Sequence, residues 1–148
     1  MDPISLQIRE MVAADYPALR ELWESSEGIG LSDADSEAGF EQFLARNRGL
    51  SVVAVDGDRM VGGALCGHDG RRGYIHHLAV SLSHRRRGIA RALVTRCLST
   101  LDAEGIQKCH VFVLDENTAG SAFWEASGWA ERVELAVFSR GTAPRASP

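Results

Sequence analysis

The chain has 148 residues, 45% of them hydrophobic and 24% charged, with a formal net charge of -4. That length is enough to bury a core in one domain without staples. The acidity argues against a dedicated nucleic-acid binder, whose affinity rests on phosphate neutralisation by basic side chains. Cys66, Cys97 and Cys109 are widely spaced and form no Cys-x-x-Cys pair, which points to reduced thiols in a cytoplasmic protein, with no disulfide framework and no metal site.

In chain order, residues 4–9 alternate Ile4, Leu6, Ile8 against Ser5, Gln7, Arg9, the pattern of a strand. Asp15 stands as the cap of a helix with Pro17 in its first turn and an apolar face of Tyr16, Leu19, Leu22 and Trp23. An acidic, glycine-bearing loop covers 24–37, and a short helix then places Phe40, Phe43 and Leu44 on one side. SVVAV (51–55), Asp56-Gly57 and MVGGALCGH (60–68) read as a hairpin, followed after Gly70 and Gly73 by the strand YIHHLAV (74–80).

A long helix follows the arginines, turning Ile89, Leu93, Val94, Cys97, Leu98 and Leu101 inward and stopping at Gly105. CHVFVL (109–114) reads as a fifth strand, Thr118–Ser127 as a helix ending at Gly128, and about 132–139 as a last strand. Residues 1–140 are thus expected to form one α/β domain, ordered β-α-α-β-β-β-α-β-α-β with a mixed sheet, and 141–148 a disordered tail. No apolar run reaches membrane-spanning length, and MDPISLQIRE is too polar and acidic for a signal peptide.

The segment HRRRGIARALV (84–94) carries the most chemical information. A strand ending at Val80, a polar loop, and a helix opening at Gly88 make an anion site, because helix N-termini offer unpaired N–H groups and a positive dipole end. Gly88 lets a ligand approach the backbone, and Arg85, Arg86 and Arg87 add charge on an otherwise acidic chain. A solvated basic loop with an ordinary helix-start glycine would look the same in isolation.

The stretch L-A-V-S-L-S-H-R-R-R-G-I-A-R-A-L-V (78–94) resembles the signature of the GCN5-related N-acetyltransferase (GNAT) superfamily, with Arg85, Gly88 and Ala90 on its Arg/Gln-x-x-Gly-x-Gly/Ala positions. A second block, D-E-N-T-A-G-S-A-F-W-E-A-S-G-W (115–129), is similar to the family's Asn…Tyr-Glu-x-x-Gly-Phe segment. The two blocks span about half the chain. The resemblance implies that fold, with a mostly antiparallel sheet, helices on both faces and a splayed acetyl-CoA cleft.

It further implies that Leu78, Ala79 and Val80 pair with the pantetheine arm. N–H groups from Arg86 through Gly88, Ile89 and Ala90 to Arg91 would hold the pyrophosphate, and Asn117 would bond the arm from across the cleft or cap the following helix.

In this family the acceptor amine attacks the thioester carbonyl directly, which requires a neutral amine and a donor for the carbonyl oxygen. Histidine has a suitable intrinsic pKa for the base. Alternation puts Tyr74, His76, Leu78 and Val80 on one face and Ile75, His77 and Ala79 on the other. Family members with a histidine base on this strand place it at the position matching His76; a histidine satisfied by hydrogen bonds between sheet and helix is the other reading. Glu27, Asp33 and Asp35 lie in the loop that resembles the family segment over the acceptor, whose acidity suits a cationic amine.

One position departs from the pattern: the usual tyrosine, presumed proton donor to the thiolate, is Trp124 here. Indole N–H cannot give up a proton at useful pH, so Tyr16 or Tyr74 could replace it, or Trp124 could pack against the pantetheine or serve as a core aromatic beside Phe123. The expectation is an acetyl-CoA-dependent N-acetyltransferase acting on an amine, with no nucleic-acid or membrane partner and with a homodimer as a family habit. The alternative is a non-catalytic acyl-CoA-binding module in the same cleft.

Overall fold

The computed structural model describes residues 6–143; the first two residues of the expected opening strand and the last five of the expected tail lie outside them. The chain divides into two compact units, up to Asn117 and from Thr118 onward. In the first unit the elements are β1 (Leu6–Glu10), α1 (Tyr16–Glu24), α2 (Glu37–Arg46), β2 (Val52–Asp56), β3 (Arg59–His68), β4 (Gly73–Val80), α3 (Ile89–Ala103) and β5 (Cys109–Val111). The sheet runs β1-β2-β3-β4-β5, antiparallel throughout except for the parallel pair β4/β5. This is the expected mixed α/β architecture, read correctly because three consecutive hairpin-linked strands need only short turns.

Two adjacent glycines show how the sheet is covered. A Cβ on Gly63 would stand 2.7 Å from Leu19 Cδ2 of α1, whereas one on Gly62 would stand 3.3 Å from Leu93 Cδ1 of α3. Successive strand residues face opposite sides, so α1 and α3 lie on opposite faces, each close against bare backbone. The α1 side carries Met11, Leu19, Leu22, Trp23, Phe40, Val53, Leu65 and Ala79. The α3 side buries Ile89, Leu93, Val94, Cys97 and Leu101.

The end of α3 is set by Gly105 at φ +83. The Ile106 N–H donates to Leu101 O at 3.0 Å and the Gly105 N–H to Asp102 O at 3.0 Å, the paired bonds of a Schellman stop.

Four expectations are corrected. Asp15 does not cap α1: its carboxylate turns back to accept from Val12 N–H (2.8 Å) and the Arg9 guanidinium (2.8 and 2.9 Å), so it fixes the turn before the helix. Leu98 is exposed, one step off the buried stripe of α3. The strand expected over 132–139 is not among the five strands. There the Leu135 N–H donates to Arg132 O, and Val133, Val137 and Phe138 are at least 72% exposed. Alternation favours a strand only where a ladder edge receives it. The expected fifth strand is shorter too, ending at Val111.

The second unit holds α4 (Thr118–Ala126), which ends as α3 does. Gly128 has φ +92, and the Trp129 N–H reaches Trp124 O at 3.0 Å. The two tryptophan rings pack edge-on at 4.7 Å, the apolar contact that accompanies such a stop.

Replacing Gly63 by Val is expected to cost about 1–3 kcal/mol through overpacking against Leu19. Urea denaturation of the variant checks this.

Candidate active site

Strand β4 carries one residue more than β3 can pair. Gly63 opposes Ala79, but Leu65 opposes His76, so the register shifts across His77 and Leu78. His77 takes φ +51 to accommodate the extra residue, a bulge in the left-handed region that histidine tolerates better than most side chains. Just before this point β5 leaves: its pairing with β4 covers Gly73, Tyr74 and Ile75 and goes no further. From His76 to Val80 the outer edge of β4 has no strand beside it among the described residues.

The bulge overturns the expected division of faces. Tyr74 and His76 face the α1 side, as their partners Gly67 and Leu65 do, but His77 joins them there. Its ring lies 5.0 Å from Trp23, and Nε2 is 2.7 Å from Asp35 Oδ1. Ala79 also faces α1, while Val80 pairs with Gly62 on the α3 side.

Asp35 is buried and ties the acidic loop together: its second carboxylate oxygen accepts from Ser32 N–H at 3.0 Å, and its carbonyl accepts from Tyr16 Oη at 2.6 Å and Arg20 Nη1 at 3.2 Å. Tyr16 is thereby committed to the loop. Glu27 and Asp33 are exposed on the same segment.

His76 is half-buried, its ring between Phe43 (6.0 Å, edge-on) and Tyr74 (6.3 Å, stacked). Burial first, then the neighbouring His77, lowers its pKa, against a smaller opposing pull from Asp35. The aromatic row continues from Tyr74 to His110 (5.7 Å) and Phe112 (6.0 Å).

Beyond Val80 the chain makes a 3-10 turn over Leu82–His84 and then the arginine loop. Arg85, Arg86, Arg87 and Gly88 are exposed. Arg86 and Gly88 take φ +63 and +78. The ladder of α3 opens with the Ala92 N–H on Gly88 O at 3.0 Å, and no side chain caps the helix.

A Cβ on Gly88 would meet nothing within 4 Å, so the space above the loop is open to an anion. The Arg85 Nε–H donates to Val80 O at 3.2 Å, curling that side chain back onto β4. Beside it a cavity of about 320 Å³ is lined by Ser25, Ser26, Arg59, Val80, Ser81 and Arg85, among others.

Asn117 lies against the loop that follows α1: a Cβ on Gly28, at φ +82, would come within 2.4 Å of its Nδ2. The structure therefore brings together β4, the arginine loop, the acidic loop and Asn117 in one unit. Trp124 belongs to the second unit, packed against Phe123 (5.1 Å) and Trp129. The bulge and the His77–Asp35 pair escaped the sequence, since a strand pattern carries no mark of an inserted residue.

A family model described as the acetyltransferase (GNAT) family matches residues 16–129. The chain belongs to the GNAT family. An acetyltransferase of Pectobacterium atrosepticum is 33% identical over 120 residues, covering 81% of this chain and 84% of the relative. One from Photorhabdus laumondii is 31% identical over 136 residues, 91% and 94% of the two chains.

Among solved structures, the PaiA N-acetyltransferase of Thermoplasma acidophilum in complex with coenzyme A superposes with TM-score 0.73 at 18% identity, over 84% of this chain and 89% of that one. An aminoglycoside acetyltransferase from an uncultured soil metagenomic sample, in complex with sisomicin, gives 0.72 at 19% identity over 95% and 98%. This GNAT protein is an acetyltransferase whose acetyl donor is acetyl-CoA. A cleft edge without a strand, followed by an open glycine cradle, fits that donor.

Because burial favours the neutral imidazole, an unfolded chain takes up a proton at His76 at a higher pH than the native one does. Between those two values the contribution of His76 to stability falls as pH falls. The His76 ring resonances should titrate by NMR with a midpoint below the ordinary value of about 6.5.

Proposed function

We propose that this GNAT protein is an N-acetyltransferase that moves an acetyl group to a primary amine by direct attack on the thioester. The observation that carries the reading is the parting of β4 from β5 beside the bulge, which leaves the backbone of His76–Val80 as an open edge. On this reading Leu78, Ala79 and Val80 offer main-chain groups to the pantetheine arm as an added strand would. N–H groups of residues 86–91 receive the pyrophosphate, where Gly88 leaves the approach clear and the dipole of α3 favours negative charge. Asn117 bonds the arm from the loop before Thr118.

Acetyl-CoA supplies an activated acyl group on a thiol whose pKa is about 8.5, so its thiolate leaves without an obligatory acid. That removes the need for a tyrosine at position 124, where Trp124 serves the stop of α4. A backbone N–H at the bulge donates to the carbonyl oxygen.

His76, kept neutral by burial, takes the proton from the ammonium acceptor or from a water next to it. Tyr74 stacks on His76 and orients it. Glu27 and Asp33, exposed on the acidic loop, draw in a cationic amine. Aminoglycoside and peptide are the acceptors or ligands named for structural relatives, and both are consistent with an amine of that kind. Buried Cys66 and Cys97, free thiols, suit a reducing cytoplasm, and residues up to about 140 act as one catalytic domain.

The test is calorimetric titration with acetyl-CoA, then thiol release against a panel of primary amines. Saturable binding with turnover of at least one amine is expected; binding without turnover across the panel would make the protein an acyl-CoA-binding module. At about a hundred times the dissociation constant the ligand should add about 2.7 kcal/mol to stability.

Gly88→Glu should weaken binding by at least about tenfold, since like charge and bulk enter the cradle. His76→Gln should lower kcat by about a hundredfold while leaving acetyl-CoA affinity unchanged, the size expected for loss of a general base. Retained turnover in that variant assigns the base elsewhere.

A further inference from the structure

We propose that His84 is a positioning residue for acetyl-CoA, acting through Asp56 to hold the arginine loop in the shape that receives phosphate. His84 sits between two exposed residues, Ser83 and Arg85, yet is itself 6% exposed. Both ring nitrogens are engaged. Nε2 lies 2.9 Å from Asp56 Oδ2, at the end of β2, and Nδ1 lies 2.7 Å from Ser83 Oγ and 3.3 Å from Ser81 Oγ.

The turn it closes is pinned from behind. The Ser81 N–H donates to Val61 O at 2.8 Å, and the His84 N–H to Ser81 O at 3.0 Å. Arg59 opposes Asp56 in the β2/β3 hairpin, and Arg85 follows His84 in sequence.

The loop beyond His84 needs such an anchor. Four exposed residues separate the imidazole from α3, and two of them adopt left-handed backbone, one being Arg86. A side chain in that region costs about 1–2 kcal/mol and persists only where the surroundings over-determine the backbone. Arg85 Nε on Val80 O is the first bond beyond the turn, and Ile89 is the next buried residue.

His84 is therefore the last buried point before the cradle. Its hydrogen bond to Asp56, charge-assisted and directional, fixes the direction in which the loop leaves the sheet. A packed apolar ring would fill the site without setting that direction.

The inference rests on the arginine loop as the phosphate site, and its test separates the two. His84→Phe fills the same pocket without hydrogen bonds, and His84→Gln restores a donor toward Asp56 and an acceptor for Ser83. Calorimetry with acetyl-CoA should show affinity at least tenfold weaker in H84F and within threefold of wild type in H84Q. Hydrogen exchange of the unliganded protein should be faster in H84F at residues 82–91 and unchanged in β2 and β3.

Asp56→Ala, at a side chain that is partly solvent-exposed, removes the acceptor for His84 Nε2–H, should show the same localised loss and stands in for H84F if that variant does not fold. Wild-type affinity in H84F or in D56A overturns the proposal. So does exchange that accelerates evenly across the sheet, which would mark His84 as a general stabiliser. Absence of acetyl-CoA binding in the wild type would instead overturn the cleft assignment beneath it.

Discussion

One residue too many in β4 shapes the strand on which the proposed acetyl-CoA site rests. The sheet absorbs the surplus at His77 and Leu78, and the ladder on the far side ends just before it, at Ile75. A strand that is pleated and paired on both edges exposes no main-chain donors or acceptors. A strand that bulges, with its outer neighbour ending early, exposes several in a row. The open edge is thus a product of a short β5, with the register shift beside it.

The same bulge recruits its own support. By carrying His77 to the α1 side it brings an imidazole to Asp35, and Asp35 in turn gathers Ser32, Tyr16 and Arg20. The left-handed backbone is thereby held by a buried hydrogen-bonded pair, at a point where an untethered strand could slip register. One irregularity thus shapes the open strand edge and seats the acidic loop beside it. At the other end of β4, His84 and Asp56 form a second imidazole–carboxylate pair under the arginine loop.

Much of this was legible in the sequence. The hairpins announced themselves through Asp56-Gly57 and Gly70, and the loop and helix start at Gly88 through arginines, glycine and an amphipathic helix in that order. What stayed hidden was relational. Strict alternation put His76 and His77 on opposite faces, because a period of two contains no term for an inserted residue. His84 drew no role from the sequence, since nothing in the one-dimensional string links it to Asp56, 28 positions earlier. The strand over 132–139 was over-read for the converse reason: its alternation is real, but a pattern cannot supply a partner.

Gly62 and Gly63 carry a consequence of a different kind. With Leu19 of α1 against the sheet backbone at one and Leu93 and Ile89 of α3 at the other, side chains of the two helices are separated there by little more than the thickness of a peptide. Substitution at these positions is coupled to substitution elsewhere. A side chain at 63 calls for a smaller residue at 19, and one at 62 for reduction at 89 or 93 together with a small shift of the Ala79 carbonyl, 3.2 Å away. In homologous proteins these positions should drift as two linked sets, one on each side of the sheet, and neither set should change one member at a time.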